Sequence, residues 1–182
     1  MVDPVRLLGA LAFAAEKHSR QRRKDSEASP YINHPIAVAT VLAAEGGVTD
    51  EAVLLAAVLH DTVEDTETSF DELEERFGRA VRDLVAEVTD DKSLPKQERK
   101  HLQIAHARSA TPGARQIKIA DKICNIRDIA SSPPADWTLD RKHEYLEWAE
   151  RVVDGCRGVN PRLDTAFDRA LTKARRTLGV GA

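Results

Sequence analysis

Apolar residues recur at helical spacing along almost the whole chain. Leu7, Leu8, Leu11, Ala14 and Ala15 form one stripe over residues 5–18, and Asp3-Pro4 just ahead offers an N-cap and an N1 proline. Residues 20–29 break the period with charged and polar side chains and read as a loop. Asn33, with Pro35 in the first turn, reads as the cap of a second helix stopping at Gly46-Gly47. Thr49 reads as the cap of the next, where residues 52–59 are nearly all apolar, so that helix must be buried. Ser69-Phe70-Asp71-Glu72 matches a capping box for a short helix ending at Gly78. Val81, Leu84, Val85 and Val88 stripe residues 79–89, and Pro95 opens a helix over 96–107. Thr111-Pro112 opens a long helix ending near Ser131, and residues 138–154 and the stretch after Asn160-Pro161 supply two more. The nearest strand candidate, 115–120, continues at helical spacing through Ile119, Ile123 and Ile126. The pattern predicts an all-α bundle of about eight to ten helices with no significant sheet.

Polar residues that interrupt this pattern carry the chemistry. His60 and Asp61 lie where the buried helix runs out into Thr62-Val63-Glu64-Asp65-Thr66. His34 falls in the first turn of one helix, and Asp121 lies on the long helix with Asn125 one turn further on the same face. Taken singly, His34 reads as a capping or core histidine, and Asp121 as an ion-pair partner for Lys122 or Arg127. Taken with His60-Asp61 at the end of a buried helix, the four read as ligands of one ion, a mixed nitrogen/oxygen set that suits Mn, Fe or Zn. Glu64 and Asp65 come three and four residues after Asp61 and are left for proton chemistry on a metal-activated water. The acidic residues 71–75 read instead as the solvated first turn of a capped helix.

Composition narrows the class. At 182 residues and 42% hydrophobic the chain fits one domain over 1–182, with a core at 5–177. With aromatics at 4%, that core must come from Leu, Val, Ile and Ala. A net charge of -3 excludes a general nucleic-acid binder. No apolar run reaches the ~20 residues of a membrane span, and the N-terminus lacks signal-peptide character, so a cytoplasmic protein is expected. Cys124 and Cys156 lack Cys-x-x-Cys spacing and are expected to be free thiols. Cations cluster at Arg20, Arg22, Arg23 and Lys24, and again at Lys92, Lys96, Arg99 and Lys100, while Arg141 begins the helix of Tyr145 and Trp148. Two basic clusters around an acidic metal site in a net-negative chain point to a polyphosphate-bearing small molecule. The residues predict a metal-dependent hydrolase of a phosphorylated nucleotide and leave the oligomeric state open.

Several segments go further: Gln21-Arg-Arg-Lys-Asp25, Pro30-Tyr-Ile-Asn-His-Pro35, Leu59-His-Asp-Thr-Val-Glu-Asp-Thr66, Val88-Thr-Asp-Asp-Lys92, Leu94-Pro-Lys96, Lys118-Ile-Ala-Asp-Lys122 and Glu144-Tyr-Leu-Glu-Trp148. Together, over residues 5–160, the chain resembles the HD-domain superfamily. Within it the likeness is to the (p)ppGpp hydrolase domain of RelA/SpoT enzymes and to the small stand-alone metazoan SpoT homologs. The resemblance implies an HD-type helical bundle with one Mn2+, or else Zn2+ or Fe2+, on His34, His60, Asp61 and Asp121. It implies a catalytic acidic pair, Glu64 and Asp65. It places Arg23 and Lys24 against the guanine nucleotide, Asn125 near the ribose and phosphates, and Lys96, Arg141 and Tyr145 in the same pocket. The implied reaction removes the 3′-diphosphate of ppGpp or pppGpp as pyrophosphate, leaving GDP or GTP. The chain departs from relatives at Cys124, where many carry a larger aromatic or His, and at Asp128, where the long bifunctional enzymes tend to carry Thr. It is too short to add a synthetase domain. Removal of the 2′-phosphate of NADPH is the competing activity for such a site. A catalytically silent nucleotide sensor is a third reading, against which the intact Glu64 and Asp65 count.

Overall fold

A computed structural model describes residues 2–179, and ten α-helices run through them: α1 (Pro4–Lys17), α2 (Asn33–Thr40), α3 (Glu51–Leu59), α4 (Thr62–Asp65), α5 (Phe70–Phe77), α6 (Arg79–Val88), α7 (Lys96–Ala107), α8 (Pro112–Ser131), α9 (Leu139–Cys156) and α10 (Pro161–Thr177). No strand pairs with another among the described residues apart from one isolated bridge, Arg22 with Pro30. The all-α expectation holds.

Helix α3 explains the architecture. All seven residues from Val53 to Leu59 are buried, so no face of it can meet water. Helices α1, α2, α6 and α8 pack around it, while α10 and α9 close the far side of α8. The core is aliphatic, as the scarcity of aromatics requires, with Leu42, Leu55, Leu59, Ile119, Ile123 and Ile126 among its fully buried members. Helix α1 turns Ala10, Phe13 and Ala14 inward, whereas the expected stripe residue Leu8 is 65% exposed. Trp148 on α9 ties that helix to α7 by donating from Nε1 to Lys100 O at 3.1 Å.

Three local expectations are corrected. Asn33 does not cap α2: its own N–H bonds Pro30 O at 3.2 Å and that of His34 bonds Tyr31 O at 3.0 Å. The turn thus starts early, and Asn33 is already helical behind Ile32. Thr49 does not cap α3; Asp50 does, accepting from Val53 N at 3.3 Å, because a carboxylate also meets the helix dipole favourably. The second helix does not run evenly to Gly46 but ends in a π-helical turn, Val41–Glu45, closed by Gly46 N to Val41 O at 2.9 Å. A side chain at Gly46 would collide with Leu163 of α10, so the extra residue and the missing Cβ together admit that helix. The capping box at Ser69 is half formed: Ser69 accepts from Glu72 N at 3.1 Å, while the Glu72 carboxylate turns to Lys17.

Candidate active site

Burial of α3 forces the polar residues at its C-terminal end to emerge inside the molecule. His60 is its C-cap and is 5% exposed. Its Nδ1 donates to Ala57 O at 2.8 Å, which leaves Nε2 directed away from the helix. Thr62 satisfies the next open carbonyl, donating to Leu59 O at 2.7 Å, and lets the chain turn straight into α4 with Asp61 at the bend. His34, from the first turn of α2, faces His60 with ring centroids 5.3 Å apart. Asp121 arrives from the middle of α8. The four heads converge: His34 Nε2 lies 3.1 Å from Asp121 Oδ1 and 3.8 Å from Asp61 Oδ2. His60 Nε2 lies 3.1 Å from Asp61 Oδ2 and 4.0 Å from Asp121 Oδ1.

Outer contacts hold both carboxylates. Tyr31 donates its hydroxyl to Asp61 Oδ2 at 2.6 Å. Lys122 donates to Asp121 Oδ2 at 2.7 Å, and Asn125 donates to Asp121 Oδ1 at 2.6 Å. Burial alone would raise both acids, but His60 and His34 beside Asp61, and Lys122 with the same histidines beside Asp121, hold them well below the usual carboxylate range. Burial opposes charge on His60, yet Asp61 outweighs it and pushes the imidazole up to about 9. Two half-buried carboxylates therefore demand positive charge at this point, from imidazolium protons or from a cation. The donors fit a divalent metal. His34, His60 and Asp121 offer ligand atoms within 4.8 Å of one another, and His60 Nε2 is buried without a hydrogen-bond partner.

Two cavities meet at this cluster. The outer one, about 660 Å³, is lined by Arg23, Lys24, Asp65, Asn125, Asp128 and Tyr145 among others. The inner one, about 170 Å³, lies among His34, His60, Asp61, Glu64, Lys118 and Asp121, and shares Arg23, Tyr31, His34 and Asn125 with the first. Glu64 and Asp65 thus face different spaces. Glu64 Oε2 accepts from Asp90 N at 3.2 Å, with Arg99 3.7 Å from its other oxygen. Burial pushes the Glu64 carboxyl up to about 7. Asp65 pairs with Lys92 and accepts from Gln21 Nε2 at 2.9 Å, and Gln21 is itself held by buried His18 at 2.6 Å.

Comparison with known proteins gives this geometry its family. Residues 10–146 match the model of the HD domain. The chain is 55% identical over 165 residues to the guanosine-3′,5′-bis(diphosphate) 3′-pyrophosphohydrolase MESH1 of Homo sapiens, covering 91% of this chain and 92% of that one. To the MESH1 of Xenopus tropicalis it is 54% identical over 166 residues, covering 91% and 93%. A solved structure described as a metazoan ortholog of SpoT that hydrolyzes ppGpp superposes with a TM-score of 0.91 at 46% identity, covering 100% of this chain and 99% of that one. The chain belongs to the HD-domain family, in its stand-alone metazoan SpoT homolog branch.

In this HD domain most residues singled out from the sequence come together. Arg23 is delivered by an ordered loop rather than an irregular one. Asp25 knits that loop, accepting from Glu27 N at 3.0 Å, from Ser29 N at 3.1 Å and from the Ser29 hydroxyl at 2.6 Å, while Arg23 N bonds Ser29 O at 2.8 Å. The Arg23 guanidinium lies 5.7 Å from the Tyr31 ring centroid and pairs with Asp128. Lys24 is exposed at the outer rim. Two residues do not join them. Lys96 is exposed at the start of α7 and lines neither cavity. Arg141 lines neither as well, standing 4.5 Å from the ring of Trp137, which does line the outer one. Tyr31, Gln21, Asp90, Gln103, Lys118 and Trp137 also line the site, with no role expected for them from the sequence. Lys118 had a signal: with Asp121, Asn125 and Asp128 it makes a polar stripe at helical spacing on an otherwise buried helix.

Proposed function

We propose that this protein is a metal-dependent guanosine-3′,5′-bis(diphosphate) 3′-pyrophosphohydrolase. It converts ppGpp or pppGpp to GDP or GTP and pyrophosphate in a cytoplasmic setting. The observation that carries this reading is identity above one half, over nine-tenths of both chains, to proteins that bear that name. The convergence of two imidazoles, two carboxylates and a buried acid of raised pKa beside a nucleotide-sized cavity supports it.

His34, His60, Asp61 and Asp121 would hold one divalent cation, Mn2+ in first place, with Zn2+ or Fe2+ as alternatives. Such an ion supplies a Lewis acid and draws the pKa of a coordinated water towards neutrality. The chain's own residues do the rest. Asp61 and Asp121 are aimed by Tyr31 and by Lys122 with Asn125, so their inward oxygens need not reorganise. Glu64 takes the proton of the attacking water, a task suited to an acid titrating near neutrality. The water oxygen–phosphorus bond forms, the O3′–phosphorus bond breaks, and the ribose oxygen leaves as a hydroxyl once it takes up the proton that Glu64 removed from the water. Asp65, fixed between Lys92 and Gln21, faces the nucleotide side and orients the approach. Arg23 and Lys24 meet the nucleotide in the outer cavity, where Asn125, which accepts from Arg23 Nη2 at 3.5 Å, and Tyr145 also line the space.

The test is a substrate panel: purified protein with Mn2+ and, separately, ppGpp, pppGpp, GTP and NADPH, with products resolved by chromatography. The reading expects pyrophosphate from the first two. Orthophosphate from NADPH with the guanosine substrates untouched would replace it by the 2′-phosphatase, and binding without turnover would replace it by the sensor.

A further inference from the structure

We propose that the inner cavity is the subsite for the departing diphosphate, with the Lys118 ammonium as its anion-binding group. This rests on the hydrolase reading above and adds to it a residue and a place for the leaving group.

Lys118 sits on α8 three residues before Asp121, one turn away on the same face, and is 8% exposed. It lines the inner cavity, yet it makes no hydrogen bond or ion pair among the described residues. The other polar walls are committed. Lys122 holds Asp121 Oδ2 and lies 4.6 Å from the centroid of the Trp148 ring. Gln103 donates to Asp90 Oδ2 at 2.6 Å, and Glu64 accepts from the Asp90 backbone. Lys118 is the uncommitted charge of the chamber. Holding a largely buried ammonium without a bonded partner is costly: burial and the Lys122 charge lower its pKa, against the weaker pull of Asp90 and Asp121. An arriving phosphate oxygen would remove that cost.

The position fits the same role. The two cavities share the wall that carries His34 and Arg23, so a nucleotide in the outer one presents its 3′-phosphorus to the cluster and directs its distal phosphate inward. A volume of about 170 Å³ is on the order of five or six waters at ~30 Å³ each, enough for a diphosphate and too little for a nucleoside. The near-complete burial of Lys118 strengthens an ammonium–phosphate contact. Asp90, which also lines this cavity, is the opposing charge and is held by Gln103.

The test is calorimetric titration of the metal-loaded protein with inorganic pyrophosphate and, separately, with GDP, for the natural protein, Lys118→Met and Lys118→Gln. Met keeps the stem and removes the charge; Gln keeps a donor and guards against a Met variant that fails to fold. Pyrophosphate binding should weaken about tenfold or more in each folded variant, the scale of one charge-assisted hydrogen bond, with GDP binding and metal content unchanged. Pyrophosphate affinity equal to that of the natural protein in the folded variants would overturn the assignment. No turnover is needed, so a protein that failed to hydrolyse ppGpp would sink the hydrolase reading and leave this result interpretable.

Discussion

Glu64→Gln is the substitution that separates chemistry from assembly in this site. The amide keeps the shape and can still accept from Asp90 N, but it cannot take a proton. Removing a general base costs about 10²- to 10⁴-fold in rate, or roughly 3–5 kcal/mol at the barrier. The same residue has a stability signature of defined sign. Its folded pKa, about 7, lies above its ordinary 4.5, so the native state holds this proton more tightly than the unfolded chain. The natural protein is favoured below pH 4.5 and loses that advantage as pH rises through 7. At ~1.4 kcal/mol per pH unit the loss totals about 3 kcal/mol. Chelator-stripped Glu64→Gln should therefore gain stability over the natural protein between pH 5 and pH 8 in denaturant melts. With metal restored, kcat should fall at least ~100-fold while metal content holds. In the natural protein kcat/KM should rise with pH to a limb at or below about 7, since a nearby cation favours the carboxylate. An unchanged kcat, or metal lost in step with activity, would refute the assignment of Glu64 as base.

The geometry sets two further outcomes. His34→Ala and Asp121→Ala should each lower metal content, measured by elemental analysis, and activity together; full occupancy in both would end the four-ligand scheme. Arg23→Ala should weaken ppGpp hydrolysis by about 1–3 kcal/mol, mainly through KM, with metal retained, and unchanged kinetics in Arg23→Ala/Lys24→Ala would return that loop to a solvated surface.

Much of this was legible in the sequence because the signals were local. A helix apolar from Val53 to Leu59 has one solution, burial, and the polar residues at its end must then be functional or paired; His60 and Asp61 pair with each other at 3.1 Å. Helical spacing put Asp121 and Asn125 on one face, and they bond at 2.6 Å. The alternative partner for Asp121, Lys122, is also real, since the two oxygens of one carboxylate serve different neighbours. The features that stayed hidden depend on distant elements. Where a helix starts depends on the incoming chain: at Asn33 the turn begins early behind Ile32, and at Thr49 the cap passes to Asp50. The π-helical turn answers to Leu163, more than a hundred residues away. Tyr31, Gln21 and His18 act on Asp61 and Asp65 across thirty to fifty positions, a separation that no period reveals.

The central claim is that water attacks the phosphorus attached to the ribose 3′-oxygen, inside the cluster of His34, His60, Asp61 and Asp121. Hydrolysis of ppGpp in 18O-enriched water, read by mass spectrometry of both products, tests it most directly. The account predicts one 18O atom in pyrophosphate and none in GDP. Label in GDP, or orthophosphate as the first product, would contradict it.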